Sequence, residues 1–436
     1  MSKSLINPQW PFDIRRVPFF YGWVILLLST AGFLLSVPGQ TMGMAVFTDS
    51  LIDALGLSRT QLSLAYLVGT VASALFLTRA GIWYDRFGPR VMIPLASVML
   101  ALMVLFISTV DWIAAALGGG NTLSFLCIAL GYFGVRFWGQ GVLTSASRNA
   151  LLLWFEKRRG LVGGVRGVVV SLGFSLAPLL LAWMISTMGW RGALWFMAGF
   201  IGLVFSLLAF IFLRNSPQEC EVLADGREPE SAPQNGAASD GKPTSFSLAR
   251  AKTNAMFWLV SLSLSIHALF GTAITFHIVS IFELAGRDSA QAFGYFLPSA
   301  IASTTVNLLA SWQADKHPLK PFLIAMLCFF IVGGYGLLEL ENNWGYWLMV
   351  IGIGGGGGLW GVISNLAFIR YFGPANLGAI SGLCTSVMVF ASAIGPALFS
   401  LGLDFSGSYG AVQLLCMAAI AALLAATFFI DQPELS

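Results

Sequence analysis

Apolar runs of about twenty residues or more recur from near residue 21 to near residue 430, broken by short charged turns. This feature constrains the fold most. A bilayer core about 30 Å thick is crossed by roughly 20 helical residues rising 1.5 Å each. Inside it every backbone group must find its partner within the protein, which favours helices. The chain is 57% hydrophobic and only 10% charged, against about 25% charged in a soluble domain. An all-α, multi-pass membrane protein is the expected class.

Reading the runs against their flanking charges predicts twelve transmembrane helices, near 21–47, 61–83, 89–110, 122–150, 158–187, 191–213, 255–284, 290–313, 320–338, 345–371, 377–403 and 408–430. Assigning loops alternately, with the N-terminus inside, puts eighteen Lys and Arg residues on the inner side. Only Arg59, Arg191 and Arg287 fall outside. That asymmetry predicts cytoplasmic N- and C-termini, and a bacterial inner membrane is the expected location. The N-terminus lacks a cleavable leader pattern, because its first apolar run is too long. Residues 214–254 form the one long polar stretch and read as a flexible cytoplasmic linker. The expected domains are an N-terminal six-helix bundle (1–213), this linker, and a C-terminal six-helix bundle (255–436).

The two halves echo each other. Gly81-Ile82-Trp83-Tyr84-Asp85-Arg86-Phe87-Gly88-Pro89-Arg90 follows the second segment, and Ser311-Trp312-Gln313-Ala314-Asp315-Lys316-His317-Pro318-Leu319-Lys320 follows the eighth, 230 residues later. Gly160, Gly164 and Pro178 of the fifth segment match Gly378, Gly382 and Pro396 of the eleventh at an offset of 218. Parallel six-helix repeats imply two pseudo-symmetric bundles around a site near the midplane. A small residue at Gly81 permits close helix approach, and Asp85 can accept from a helix N-terminus or from an arginine.

The stretch Gly81-x-x-x-Asp85-Arg86-x-Gly88-x-Arg90 resembles the signature loop of the major facilitator superfamily. The resemblance implies that Gly81, Asp85, Arg86 and Arg90, with Asp315 in the second half, latch the halves in an outward-open state. Tyr21-Gly22-Trp23, the run from Trp154 to Gly160, Gly189-Trp190-Arg191, and Phe257-Trp258 with His277 are similar to the monocarboxylate and oxalate/formate exchanger branch. That branch often carries a basic residue in the eighth or eleventh helix. Here those helices offer only uncharged polar residues, so the positive charge sits in the N-terminal half.

That charge is Arg136 and Arg166. Twenty-one of the 23 basic residues lie at or near segment ends; these two lie inside the fourth and fifth segments, and no segment holds a carboxylate to neutralise them. An arginine at a bilayer centre costs roughly 2.5–3.5 kcal/mol on insertion scales, so it faces a partner or a water-filled cavity. Tyr132, Arg136, Gln140 and Thr144 recur every fourth residue and share a face, which predicts a cavity-facing stripe. For Arg136 two readings stand: attraction of an anionic substrate, or bonding of backbone carbonyls within its own bundle. Arg166 either enters the cavity beside Gly163, Gly167 and Gly173, or it snorkels to the inner surface or bonds between the bundles.

The eighth segment carries a second stripe of Tyr295, Ser299, Ser303, Asn307 and Ser311, suited to cargo oxygens or to helix adhesion. In the first segment, Ser36 and Gln40 share a face. Asn365 follows Gly354-Gly355-Gly356-Gly357-Gly358, a run that reads either as a gating bend or as close packing. His267 and His277 are candidates for proton coupling, since histidine titrates near neutral pH; the alternative is a hydrogen-bonded structural role.

The five cysteines show no metal or disulfide spacing. No paired-carboxylate site, His/Cys metal cluster or nucleophile elbow is present, so neither an enzyme nor a metal or other cofactor is expected, and no nucleic acid is an expected partner. The sequence reads as a secondary transporter for small organic anions, monocarboxylates above all, working by alternating access with proton symport or anion exchange. Arg136, Arg166, Gln40, Tyr132, Gln140, Ser303, Asn307 and Asn365 are its candidate substrate residues. The expected partners are the anion, protons and the lipid bilayer, with the protein as a monomer. An exporter of drug-like amphipathic molecules is the alternative, and a non-transporting membrane sensor is a more distant one.

Overall fold

The apolar runs fold into helices along the whole described chain. A computed structural model describes residues 6–226 and 245–433, and every regular element among them is helical. The spans are α1 (Gly22–Leu34), α2 (Arg59–Phe87), α3 (Pro89–Ser108), α4 (Asn121–Trp154), α5 (159–188), α6 (190–212), α7 (Ala255–Leu284), α8 (Phe296–Ala314), α9 (Lys320–Leu338), α10 (Asn343–Phe372), α11 (Leu377–Ser406) and α12 (Gly410–Phe429). Twelve helices match the number expected from hydropathy. Gly189 at φ 73° divides α5 from α6 at a kink, a backbone region that a residue without Cβ occupies at little cost.

Two spans differ from expectation. The first was expected as one helix over 21–47. It ends at Leu34, passes through a 3-10 turn at Val37–Gly39 and resumes only as the short helix Thr41–Ala45. Pro38 lacks an N–H and cannot continue the ladder. The eighth, expected over 290–313, is divided into Ser289–Gly294 and α8.

The chain forms two compact units. Unit 1 comprises Met1–Lys157, Val169–Lys242 and Ala375–Ser386; unit 2 comprises Arg158–Val168, Pro243–Pro374 and Val387–Ser436. Each unit thus includes the opening turns of one helix that otherwise belongs to the other: the start of α11 in unit 1 and the start of α5 in unit 2.

In unit 1, α3 is largely buried. Met92, Ile93, Ala96, Leu100, Val104 and Ile107 are each fully covered. Lipid offers no hydrophobic drive between helices, so association depends on close packing at small residues. Gly131 and Gly134 of α4 lie against Ile107 and Met103 of α3, and Gly202 of α6 against Ala101. In unit 2 the glycine run of α10 does the same. A side chain at Gly354 or Gly358 would meet the backbone oxygens of Ser299 and Ser303 on α8, and one at Gly355 or Gly356 the rings of Phe329 and Phe330 on α9. The helix runs unbroken through this stretch, so the glycines serve packing rather than a bend.

The expected linker is in part structured. Arg214 is fully buried and donates to Ile211 O (2.7 Å), Leu213 O (2.9 Å) and Phe12 O (3.3 Å). Asp225 accepts from the backbone N–H groups of Glu156 and Lys157 at 3.1 and 2.7 Å. Cys220 is buried in the same layer, and burial pushes its thiol up to about 11, so it stays protonated. At the far end, Phe246 N–H donates to Phe372 O at 2.9 Å. The Pro- and Ser-containing middle of the linker, 227–244, lies outside the described residues.

Candidate functional site

Arg136 lies at the break in the first span. Its side chain is 2% exposed. Nη1 donates to Gly39 O at 3.1 Å and reaches Thr41 Oγ1 at 3.5 Å, while the guanidinium lies 5.2 Å from the Tyr66 ring centre. The sequence accounts for this locally. Gln40 is extended (φ −88°, ψ 151°) between the turn and the short helix, and Gly43 N–H bonds Gln40 O instead of Gly39 O; a carbonyl buried away from water needs a donor. Gly39 must also come close to α4: a Cβ there would lie 2.5 Å from Gln140 N and Val135 O. Around Arg136 itself, Arg136–Leu143 is wound as a π-helix, a form frequent at functional sites.

The residues of the expected stripe on α4 meet the broken first span and α2. Tyr132 packs edge-on to Tyr66 with centres 5.1 Å apart. Thr144 Oγ1 donates to Ser36 Oγ at 3.1 Å, and Gln40 Nε2 donates to Ser36 Oγ at 3.0 Å. Gln140 Oε1 and Arg136 Nε are buried without hydrogen-bond partners. Most of the stripe's polar groups are thus engaged by the broken first span and by α2. Arg136 also enters none of the ion pairs among the described residues.

Arg166 belongs to unit 2. It is 4% exposed, and Nη2 donates to Asn365 Oδ1 on α10 at 2.6 Å. This geometry rules out snorkelling: the head group is covered rather than at a surface. Asn307 lies nearby on α8. Its Nδ2 donates to Gly358 O at 2.9 Å, and its Oδ1 would stand 3.1 Å from a Cβ at Gly167. Elsewhere on the α8 stripe, Ser303 faces the backbone at Gly357, and Ser299 donates to the Tyr295 hydroxyl at 3.2 Å. Asn307, Asn365 and Arg166 therefore come together around the opening turns of α5, while Ser303 and Tyr295 line the α8–α10 seam.

The residues of the charged loops form two matching clamps. Asp85 accepts from Gly378 N–H and Ala379 N–H, both at 2.7 Å, so its carboxylate caps the N-terminus of α11, where the helix dipole favours negative charge. Asp315 accepts from Gly160 N–H at 2.6 Å and Leu161 N–H at 2.9 Å, capping α5. Arg370 adds an ion pair to Asp315 at 3.4 Å. Gly81 has no room for a side chain, since a Cβ would run into the carbonyl of Gly378. Two members of the expected latch act elsewhere. Arg86 is exposed and lies over Phe87, 5.3 Å from the ring centre. Arg90 is 1% exposed and donates to Asn7 O at 2.9 Å, to Trp10 O and to Phe210 O at 3.4 Å, so it pins the N-terminal segment. Arg90 begins the next helix beyond the positive-φ Gly88, and that turn carries it away from Asp85's partners.

The histidines differ from each other. The His267 ring stacks flat on Phe330, with centres 4.5 Å apart and planes 11° apart, and lies 5.5 Å from Trp360. His277 is tied by Nε2 to Pro396 O (3.0 Å) and Ser400 Oγ (3.3 Å), and by Nδ1 to the Tyr409 hydroxyl (3.3 Å). It joins α7, α11 and α12, the structural arrangement held open in the sequence. Among the described residues no group of His, Cys, Asp and Glu is arranged to hold a metal ion.

Sequence reasoning overlooked Asn149. It is 2% exposed on α4 and donates from Nδ2 to Ser381 Oγ at 3.0 Å, tying α4 to the same opening turns of α11 that Asp85 caps. A signal was present: Asn149 and Asn365 are 216 residues apart, close to the offset that relates Gly160 to Gly378, and each contacts the start of the helix concerned.

The sequence profile of the Major Facilitator Superfamily matches residues 28–396. The chain belongs to the major facilitator superfamily. Its relatives include a hexuronate transporter of Bacillus subtilis, 25% identical over 48% of this chain and 46% of that protein. A "Probable hexose phosphate transport protein" of Chlamydia trachomatis is 23% identical over 50% of this chain and 43% of its own length. The chain thus spans about half the length of these curated relatives or less. An uncharacterized 38 kDa protein in the 23S RNA operon of Thermoproteus tenax aligns over 94% of this chain and 95% of its own, at 25% identity. Among solved structures, the proton:xylose symporter XylE has a TM-score of 0.70 at 14% identity, covering 95% of this chain and 97% of that one. The fold is the twelve-helix major facilitator fold, and the chain is a multi-pass integral membrane protein of a family of transporters.

Proposed function

We propose that this member of the superfamily is a secondary transporter of small organic anions, monocarboxylates above all, with both termini in the cytoplasm of a bacterial inner membrane. The observation that carries the reading is the burial of Arg136 without an ion pair among the described residues. Gly39 O and Thr41 satisfy hydrogen bonds, but a neutral carbonyl and a hydroxyl do not cancel a unit charge, and a buried charge is costly unless it is paired. A carboxylate is the counter-ion that such a site lacks. Gln140 Oε1, buried and unpartnered, is an acceptor suited to a hydroxyl of the cargo. Gln40 and Tyr132 flank it, and in unit 2 Arg166 with Asn365, Asn307 and Ser303 forms a second cationic, amide-lined set. Relatives named for hexuronate, L-galactonate and hexose phosphate all concern anions, two of them hydroxylated monocarboxylates, which supports the same chemistry.

Alternating access would require the Asp85 and Asp315 clamps to release α11 and α5 together. Protons, where they are coupled, would travel with the substrate or by way of His267 or His277; anion exchange needs neither. The test is uptake into proteoliposomes of hexuronate, galactonate and short monocarboxylates beside neutral sugars. Acid uptake that falls at least tenfold in Arg136→Gln and is partly kept in Arg136→Lys is the expected result. Unchanged uptake of every acid in Arg136→Gln, with the protein folded, would overturn the anion reading. Uptake driven by an imposed pH gradient, against uptake driven by preloaded anion, separates symport from exchange.

A further inference from the structure

Unit 1 contains a cavity that the proposed transport chemistry does not use. It has a volume of about 20 Å³ and lies among α2, α4 and the start of α11, with Leu77, Tyr84, Gly141, Ala146, Asn149 and Gly382 on its walls. The void exists because glycine and alanine supply much of its lining. Two polar atoms are buried there without hydrogen-bond partners, Tyr84 Oη and Asn149 Oδ1. Tyr84 is 5% exposed and Asn149 is 2% exposed. The orientation of the Asn149 amide follows from its surroundings. Ser381 Oγ donates towards Gly378 O at 3.5 Å and accepts from Asn149 Nδ2 at 3.0 Å, so the oxygen is the atom left without a partner.

A water molecule needs about 10–15 Å³ of such space and two or more polar partners. The cavity provides both. We propose that it is a binding site for one ordered water, which accepts from Tyr84 Oη and donates to Asn149 Oδ1. The chain Tyr84–water–Asn149–Ser381 then links α2, α4 and α11 beside the Asp85 cap. A link made through water can be broken and remade with solvent at each opening of the α11 start, whereas two buried orphan atoms would oppose every closure.

Millisecond X-ray radiolysis of the full-length protein in nanodiscs tests this, because an internal water activated in place labels the side chain it touches. Tyr84 should be oxidised at least tenfold faster than Phe257, which is also fully buried. Ala146→Val, which fills the cavity from its wall, should bring Tyr84 down to the Phe257 rate. A wild-type Tyr84 rate no higher than that of Phe257 would show a dry cavity and overturn the proposal. A fast Tyr84 rate that persists in Ala146→Val would assign the labelling to opening of the unit and would overturn it equally. If Ala146→Val does not fold, Gly141→Ala serves the same comparison, since its new methyl presses the flexible end of Leu77 into the same space.

Discussion

Arg136 and Arg166 present the same problem in sequence, a guanidinium inside an apolar span, and the two units solve it differently. In unit 1, Arg136 bonds a backbone carbonyl at the break in the first span and lies against a tyrosine ring. In unit 2, Arg166 bonds a side-chain amide on a neighbouring helix. A backbone carbonyl at a helix break has no second conformation to offer, so one edge of this arginine is fixed by the fold while its Nε is left without a hydrogen-bond partner. An asparagine side chain can rotate, so its arginine can exchange partners. Burial by itself therefore says little about whether a charged residue supports the fold or acts on a ligand; the identity of its acceptor says more.

The largest expected effect tests that contrast directly. Arg136→Ala strands Gly39 O in the protein interior, and an orphaned buried acceptor costs about 1–3 kcal/mol. Arg166→Ala leaves Asn365 able to find another donor and should cost less than half as much. Thermal unfolding of both variants in one detergent checks the order, and equal losses would break the comparison. Uptake should respond differently, falling about tenfold or more in both variants, because in the proposed mechanism both charges serve the anion.

The two clamps offer a second contrast. Asp85 and Asp315 each cap a helix, but only Asp315 also faces an arginine. A carboxylate at a helix N-terminus contributes about 0.3–1 kcal/mol, up to about 2 when partly buried. Asp315→Asn should therefore destabilise by roughly 0.5 kcal/mol more than Asp85→Asn, the extra amount being a partly exposed ion pair. Arg370→Gln should remove that difference, as a double-mutant cycle on Asp315 and Arg370 would show. Smallest of all, His277→Gln keeps one hydrogen bond of several and should cost about 0.5–1.5 kcal/mol. His267→Gln places a polar amide against Phe330 and should cost at least as much, while pH-dependent uptake that survives either change would remove that histidine from any proton path.

Much of the architecture was legible because membrane insertion reads local properties. Run length, flanking charge and the repeat of Gly160 and Gly378 are one-dimensional, and they predicted the helix number; a helix N-terminus was one of two partners open to Asp85. The site was less legible. The four-residue stripe on α4 assumed a straight α-helix, and the structure holds a π-turn there with the first span broken against it. Arg90 appeared to share the loop's task because it was near Asp85 in sequence. Asn149 was overlooked because a lone asparagine near a helix end carries no periodic signal.

The amino-acid order by itself determined that this chain crosses a membrane on twelve helices as two related halves, since burying apolar surface in lipid and satisfying backbone groups within each helix need no distant partner. Tertiary structure alone decided where each charge ends. Which partner Arg136, Arg166, Arg90 or Asp85 meets depends on residues 80 to nearly 300 positions away, and a hydrogen bond is set by distances of a few tenths of an ångström that no local pattern encodes.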